Sequence, residues 1–560
     1  MLHRRSLSDS APSTRPRAGR VAVALAAAAA LGLAATGPAA ADPPTPAQAG
    51  AAASKKLTSA VTVAGVLGHL RQFQRIADAN GDTRASGTPG YDRSADYVAR
   101  KLQRAGYRVT RQSFQFPFFE ELNPSKFARV SPTPTTYVNG TDFYTLSFSG
   151  DGVAQGTVTP VDINLTPPRA STSGCEAADF ANFPRGNIAL VQRGTCDFAV
   201  KVNNAATAGA IGVVVFNQGN GTEAENPDRY GAFQGNLGGP VPIPAISTSY
   251  ALGADLAGTA NTVVRIETDT LSETRTTQNV LAETPGGRAD NVVMAGAHLD
   301  SVPEGPGIND NGTGSAGLLE VALRYAPLAK GAKPTNKVRF AWWGAEESGL
   351  LGSEHYVASL TPTQVADIGL YLNFDMIGSP NYTLGVYDGD NSTGTGTPPP
   401  GSGALETIFR NYLTSRGQQP VDSEFSGRSD YGPFIAEGIG IPAGGLFTGA
   451  EGIKTAEEAA RFGGVPDVAY DPCYHQACDS FNPVGDGADA ATYQRLKAAY
   501  GKKLVGNVNV FALDLNSDAI ADAVARLAFD TSGVSAPGDT PAAASAGAPS
   551  GGLDGHLLTA

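Results

Sequence analysis

The sequence predicts an α/β fold: a mostly parallel central sheet flanked by helices, interrupted by a β-rich insertion. Three observations carry this. Beyond residue 275 the short apolar runs "NVVMAGA", "KVRFAWWGA" and "IGLYLNFDM" alternate with helical stretches, as parallel strands with helices on both faces require. Between the first two runs, Leu318, Val321, Ala322 and Tyr325 keep the 3.6-residue spacing of an amphipathic helix. From about 130 to 270 the texture changes to short β-like runs rich in Gly, Pro, Asn and Thr. With 560 residues, 17% charged and 8% aromatic, the chain has the size and composition of a globular protein of more than one domain.

The first element is a targeting segment. Arg4, Arg5, Arg15, Arg17 and Arg20 precede "VAVALAAAAALGLAAT", and the small-residue stretch "GPAAADPP" follows. Residues 1–41 therefore read as a secretory signal peptide cleaved after Ala41. The apolar run is 16 residues, short of the roughly 20 that span a bilayer, and no later run is longer. The chain is expected to be secreted and extracellular, with no stable membrane span. Cleavage removes five arginines and Asp9, so a formal charge of −12 becomes −16. That acidity argues against nucleic acid or an anionic membrane as partner.

Residues 42–57, rich in Ala, Pro and Gln, read as a linker or propeptide. Two amphipathic helices are expected over 58–105. In the second, Ala95, Val98, Ala99 and Leu102 share one face, and Gly106 ends it. "YRVTRQSFQF" then alternates like a strand. Within 136–270, "GNIALVQRGTCDFAVKVNNAATAGAIGVVVFNQ" reads strand, helix, strand, and "PIPAISTS" follows. The core domain resumes over 271–530. Residues 531–560 contain no aromatic residue and two charges, which reads as a disordered or removable C-terminal tail.

The four cysteines are Cys175, Cys196, Cys473 and Cys478. An even count in an exported chain reads as two disulfides between sequence neighbours. A four-cysteine zinc site would need C-x-x-C spacing, which is absent.

Polar residues at the ends of the three apolar runs point to function. The runs end in His298 and Asp300, in Glu346 and Glu347, and in Asp375. In a parallel α/β sheet ligands bind beyond the carboxyl ends of the strands, so these groups converge on one crevice. Asp310 lies in the glycine-rich stretch after the first run. Of six histidines, His3 and His556 fall in the terminal segments, and His69 and His355 sit in plain helical contexts. His475 is enclosed between Cys473 and Cys478 in "DPCYHQAC", where a short bridged loop would fix a ligand. Imidazoles and carboxylates are ligands suited to zinc, and a free carboxylate beside them suits a general base. Spacing leaves open which of Glu346 and Glu347 does which.

Two resemblances follow from these motifs. "RGTCDF" (Arg193, Gly194, Thr195, Cys196, Phe198) and "PIPAIS" resemble the protease-associated domain, placed here at 136–270. The stretches "GAHLDSV", "GPGINDNGTGSAG", "FAWWGAEESGLLGS", "LNFDMIGSPN", "GRSDYGPF", "GGLFTGA" and "DPCYHQACD" resemble, in order, the secreted bacterial di-zinc leucyl aminopeptidases. This second resemblance implies a zinc peptidase-like domain made of 58–135 and 271–530.

It also implies roles. Asp310 would bridge two zinc ions, His298 and Asp375 completing one site and Glu347 and His475 the other. Glu346 would be the general base and Tyr474 would stabilise the tetrahedral intermediate. Asp300 would orient the His298 imidazole. Arg428, Met376 and Phe447 would contact substrate. The implied reaction is removal of N-terminal leucine or other large apolar residues from peptides or proteins, by a hydroxide shared between the zinc ions. The chain is expected to be a monomer, and calcium binding is left open. Every expected ligand lies outside 136–270, so cleavage of small substrates should not require the insertion. The competing readings are a related zinc carboxypeptidase and a non-catalytic binding protein on the same fold.

Overall fold

The computed structural model describes residues 43–223 and 226–534. The expected signal peptide (1–41) and residues 535–560 of the expected tail lie outside them.

The opening strand, β1 (Arg108–Ser131), runs out of the core and into the insertion. There β2 (Thr135–Tyr137), β3 (Phe143–Thr145), β4 (Gly152–Pro160), β5 (Ile188–Gln192), β6 (Gly212–Phe216) and β7 (Ala245–Thr248) follow. The chain returns on β8 (Val263–Glu283), antiparallel to β1 from Ser131↔Val263 to Arg108↔Glu283. The core then adds β9 (Arg288–His298), β10 (Asn336–Trp343), β11 (Ile368–Phe374), β12 (Gly385–Tyr387), β13 (Val421–Ser423) and β14 (Ala443–Phe447).

The result is one 14-stranded sheet, ordered β13-β12-β14-β11-β9-β10-β8-β4-β5-β6-β7-β3, with β1 on β8 and β2 on β1. Its centre is parallel, as expected: β10, β9, β11 and β14 pair in that sense. The insertion is not a separate sheet. While β1 lines one edge of β8, the other edge pairs with β4 at Val263–Thr268 and with β10 at Val280–Glu283. The expected boundary at 270 therefore falls inside a strand. The ladder is irregular there, with register shifts between Glu121 and Asn123 and between Asn123 and Lys126, but the strand continues through the bulge, so no turn or loop marks the boundary.

Alternation along β9 distributes its residues between two layers. Val293, Ala295 and Ala297 pack with the helices Pro46–Thr58, Val63–Asp78, Pro89–Ala105, Gly312–Ala332 and Val510–Leu527. Met294 faces the other layer with Trp343, Tyr371, Tyr356 and Phe434. Both faces being covered, the strands read as continuous apolar runs. Gly296 is required by this packing: a Cβ there would lie 2.4 Å from the Tyr371 hydroxyl and 2.6 Å from Trp343 Nε1.

The linker reading of 42–57 is corrected from Thr45 onward. Thr45 and Gln48 form a capping box, Pro46 occupies the first helical turn, and Pro46–Thr58 is a helix. It buries Ala53 and Leu57 and hydrogen-bonds through Ser54 to Asp522 on the last helix. Its small residues look like low complexity because they serve close packing; a Cβ on Gly50 would sit 3.1 Å from the Arg526 carbonyl.

His69 and His355 take structural places. His69 is buried, 2.6 Å from the Tyr97 hydroxyl, and His355 stacks on Phe114. Both cysteine pairs are bonded, Cys175–Cys196 in the insertion and Cys473–Cys478 in the core.

Candidate metal centre

β10, β9 and β11 are neighbours and parallel, so their carboxyl ends open on the same side. His298 is the last residue of β9, Asp375 follows β11, and Glu346 and Glu347 lie just past β10. Asp310 sits two residues before the helix Gly312–Ala332. The loop holding His475 completes the cluster.

Asp310 stands between the two imidazoles. Its Oδ1 is 3.2 Å from His298 Nε2 and its Oδ2 is 3.4 Å from His475 Nε2. Asp375 Oδ1 lies 3.3 Å from His298 Nε2, and Glu347 Oε2 lies 3.0 Å from His475 Nε2. Glu346 Oε2 is 3.9 Å from His298 Nε2. Donor atoms of His298, Glu346 and Asp375 fall within 4.8 Å of one another, as do those of His298, Asp310 and Glu347. The donor chemistry fits two adjacent cations. The buried Glu347 Oε1 has no hydrogen-bond partner among the described residues, as a carboxylate reserved for a metal would have.

Electrostatics points the same way. Burial pushes the Glu346 carboxyl well above the usual range, and Asp430, Asp375 and Glu347 add to this against His298. Glu347 is pushed up to about 7 by burial and by Asp310. Burial alone would lower His298, but Glu346 and Asp375 drive it well above its ordinary value. Carboxylates packed this densely out of water need compensating positive charge.

The surrounding groups hold the ligands in place. Asp300 Oδ1 is 3.6 Å from His298 Nδ1 and accepts the Glu346 N–H at 3.4 Å. Ser429 donates to Asp375 Oδ2 at 2.6 Å and accepts from Asn373 Nδ2 at 2.8 Å. Tyr474 stacks on His475 with centroids 3.8 Å apart. Its hydroxyl accepts from Arg428 Nη2 at 3.3 Å, while Arg428 Nη1 pairs with Glu451 at 2.6 Å.

A cleft of about 990 Å³ opens over the cluster, and Met376, Phe447, Arg428 and Tyr474 all line it. So do Ser147, Phe148, Gln234 and Asn236 of the insertion. The insertion thus forms part of the cleft wall, which its sequence did not announce.

Several positioning residues escaped the sequence reading. Asn311 donates to the Phe374 carbonyl and accepts from Met376 N–H, joining the Asp310 loop to β11. Asp479 accepts from the backbone N–H of both Asn309 and Asp310. Asp471 accepts from Asn309 Nδ2, and Asn507 Nδ2 donates to both Asp471 and Asp479. Arg84, wholly buried, donates to the carbonyls of Leu299, Pro306 and Gly307. The one signal for Asn311, Asp471 and Asp479 is the density of Asp and Asn around 309–311 and 471–479. In a further acidic group, Asp388, Glu406 and Asp422, the last two already hold the Arg410 guanidinium and Asp388 accepts from Ser392 and Thr393.

An α/β sheet that gathers imidazoles and carboxylates at its strand ends defines a metal-binding α/β protein with its site at the carboxyl edge of the sheet. The sequence pattern of peptidase family M28 matches residues 279–499, and that of the PA (protease-associated) domain matches 155–256. An aminopeptidase of Pseudomonas aeruginosa is 46% identical over 83% of this chain and 81% of its own length. Leucine aminopeptidase 2 of Trichophyton tonsurans is 36% identical over 85% of this chain and 86% of its own. Among solved structures, the aminopeptidase of Aneurinibacillus sp. strain AM-1 shares the fold, with a TM-score of 0.60, 24% identity, and coverage of 84% of this chain and 95% of that one. The chain belongs to peptidase family M28 and carries an inserted PA domain.

Proposed function

We propose that this protein is a secreted aminopeptidase that uses two zinc ions to remove leucine and other large apolar residues from the N-termini of peptides. The carrying observation is Asp310, with one carboxylate oxygen toward His298 and the other toward His475. The chain is a zinc-dependent enzyme of the aminopeptidase class. The signal-like sequence of 1–41 and the two disulfides support export. Among the described residues no helix is long and apolar enough to cross a membrane.

His298, Asp375 and Asp310 Oδ1 would hold one ion; His475, Glu347 and Asp310 Oδ2 the other. Zinc there would activate water and polarise the scissile carbonyl. Glu346 takes a proton from the attacking water and delivers it to the leaving amine. The Tyr474 hydroxyl, held by Arg428, donates to the oxygen on which charge develops. Met376 and Phe447 offer apolar surface to the N-terminal side chain.

The test compares leucine p-nitroanilide with its N-acetylated form, alongside elemental analysis of the purified protein. We expect two zinc ions per chain and cleavage of the free-amine substrate alone. Equal cleavage of the acetylated form would overturn the aminopeptidase reading, and one zinc per fully active chain would overturn the two-ion reading.

A further inference from the structure

The insertion contributes a limb of the cleft lining: Ser147, Phe148 and Asn236 line the cleft together with Phe119 and Glu120 of β1 and Glu304 from the loop after β9. This wall is braced. Phe119 packs on Phe148 with ring centroids 5.5 Å apart. Ser147 N–H donates to the Gly235 carbonyl at 2.9 Å, and Leu237 N–H donates back to Ser147 at 3.1 Å. Phe148 is held at φ +70°, a backbone conformation that an aromatic residue rarely adopts, with its carbonyl accepting from Val241 N–H.

The limb also has a sign. Arg428 is the only Lys or Arg lining the whole cleft among the described residues, and it is already paired with Glu451. Glu120, Glu304 and Glu354 all line the cleft, and among the described residues none of them has a Lys or Arg partner. Glu304 is exposed to solvent; Glu120 and Glu121 push its carboxyl up while His475 opposes them, so these charges sense one another. Glu121 is engaged elsewhere, accepting from Ser125 N–H and the Thr145 hydroxyl. Carboxylates without a Lys or Arg partner along a cleft attract a cationic group and repel an anionic one.

We propose that this limb is a binding site for the peptide beyond the scissile bond, and that Glu120 and Glu304 select substrates with a lysine or arginine there. The inference rests on the proposed function, since it takes the metal cluster as the cleavage point. Met376, Phe447 and Arg428 of the cleft lining come from the core. The lining contributed by the insertion is assigned to the leaving peptide, and the substrate class becomes peptides with an apolar N-terminal residue followed closely by a basic one.

The experiment measures kcat/KM of the zinc-loaded full chain on Leu-X-Ala-Ala and Leu-Ala-X-Ala, with X as Lys, Gln or Glu. The readout is the Lys-to-Glu ratio within each enzyme, which cancels any general loss of activity. We expect a ratio of about 10 or more in at least one series, shrinking as salt rises. In the double variant Glu120→Gln, Glu304→Gln it should fall toward 1. A wild-type ratio near 1 in both series, or a ratio unchanged in the double variant, overturns the proposal. Cleavage of leucine p-nitroanilide separates the two claims: a zinc-loaded chain that fails on it refutes the proposed function itself, whereas cleavage of it without discrimination among the peptides refutes only this inference.

Discussion

Asp479 accepts the backbone N–H of Asp310 at 2.9 Å. This ties the residue placed between the two imidazoles to the chain just past the Cys473–Cys478 bridge. The same carboxylate also receives Asn309 N–H and Asn507 Nδ2, so every group directed at it is a donor.

Asp479→Asn should therefore harm the centre without removing a ligand. The new NH₂ must face at least one donor, and leaving a buried donor unmet costs about 1–3 kcal/mol. We expect zinc affinity and activity to fall by roughly 10–100-fold, as for groups that orient metal ligands. Competition with a chelator measures the first and kcat/KM the second. Wild-type zinc affinity in this variant would show that the tie is not needed.

Cys473→Ser with Cys478→Ser should weaken zinc retention more than global stability. The bridge spans a sequence separation of 5, and closing so short a loop contributes only about 2 kcal/mol. The loop nevertheless carries Tyr474 and His475, and Asp471 and Asp479 flank it. Thermal melting with and without zinc separates the two effects. A large loss of Tm in the zinc-free protein, with zinc affinity intact, would reverse this assignment.

Glu346→Gln and Glu347→Gln should part company. The first leaves all five proposed ligands and removes a base worth on the order of 10²–10⁴-fold; zinc should stay near two per chain while kcat collapses. The second removes the carboxylate 3.0 Å from His475, so zinc content and activity should fall together. Elemental analysis of both proteins decides, and the opposite pattern would exchange the two roles.

The insertion can be removed only where the ladder permits. Excising 136–270 would leave β1 beyond Glu120 without the partners it has on β8. Glu121 and Thr270 face each other across the ribbon, so a two-residue turn replacing 122–269 should keep the remaining pairs. We expect soluble, zinc-binding protein from the second design and aggregation from the first, read by size-exclusion chromatography. Equal behaviour would show that the ribbon beyond Glu120 is dispensable.

How much was legible in the sequence follows from where each signal lies. His298, Asp375 and the Glu346–Glu347 pair stand out because each closes an apolar run, and a parallel sheet brings such ends together. His475 stands out because two cysteines enclose it. Asp479 and Asn507 could not be read this way: Asp479 meets Asn309 across 170 residues, and no local periodicity marks such a meeting. Arg84 is hidden for the same reason, since its partners are backbone carbonyls that leave no trace in residue type. The helix Pro46–Thr58 was obscured by composition, its alanines serving close packing. The contribution of Phe148 and Asn236 to the cleft depends on how far β1 and β8 carry the insertion back toward the core.

The shared ribbon of β1 and β8 has a mechanical consequence. A jaw hung on a single linker can swing in any direction; one carried on two paired strands moves only as the ribbon bends, and the register shifts at Glu121, Asn123 and Lys126 mark where it would bend. The width of the cleft mouth is thus tied to the geometry of that ribbon. Changing the register of that ribbon by two residues, which keeps every side chain on its face, would move the far jaw like a caliper and reset the size of what is admitted.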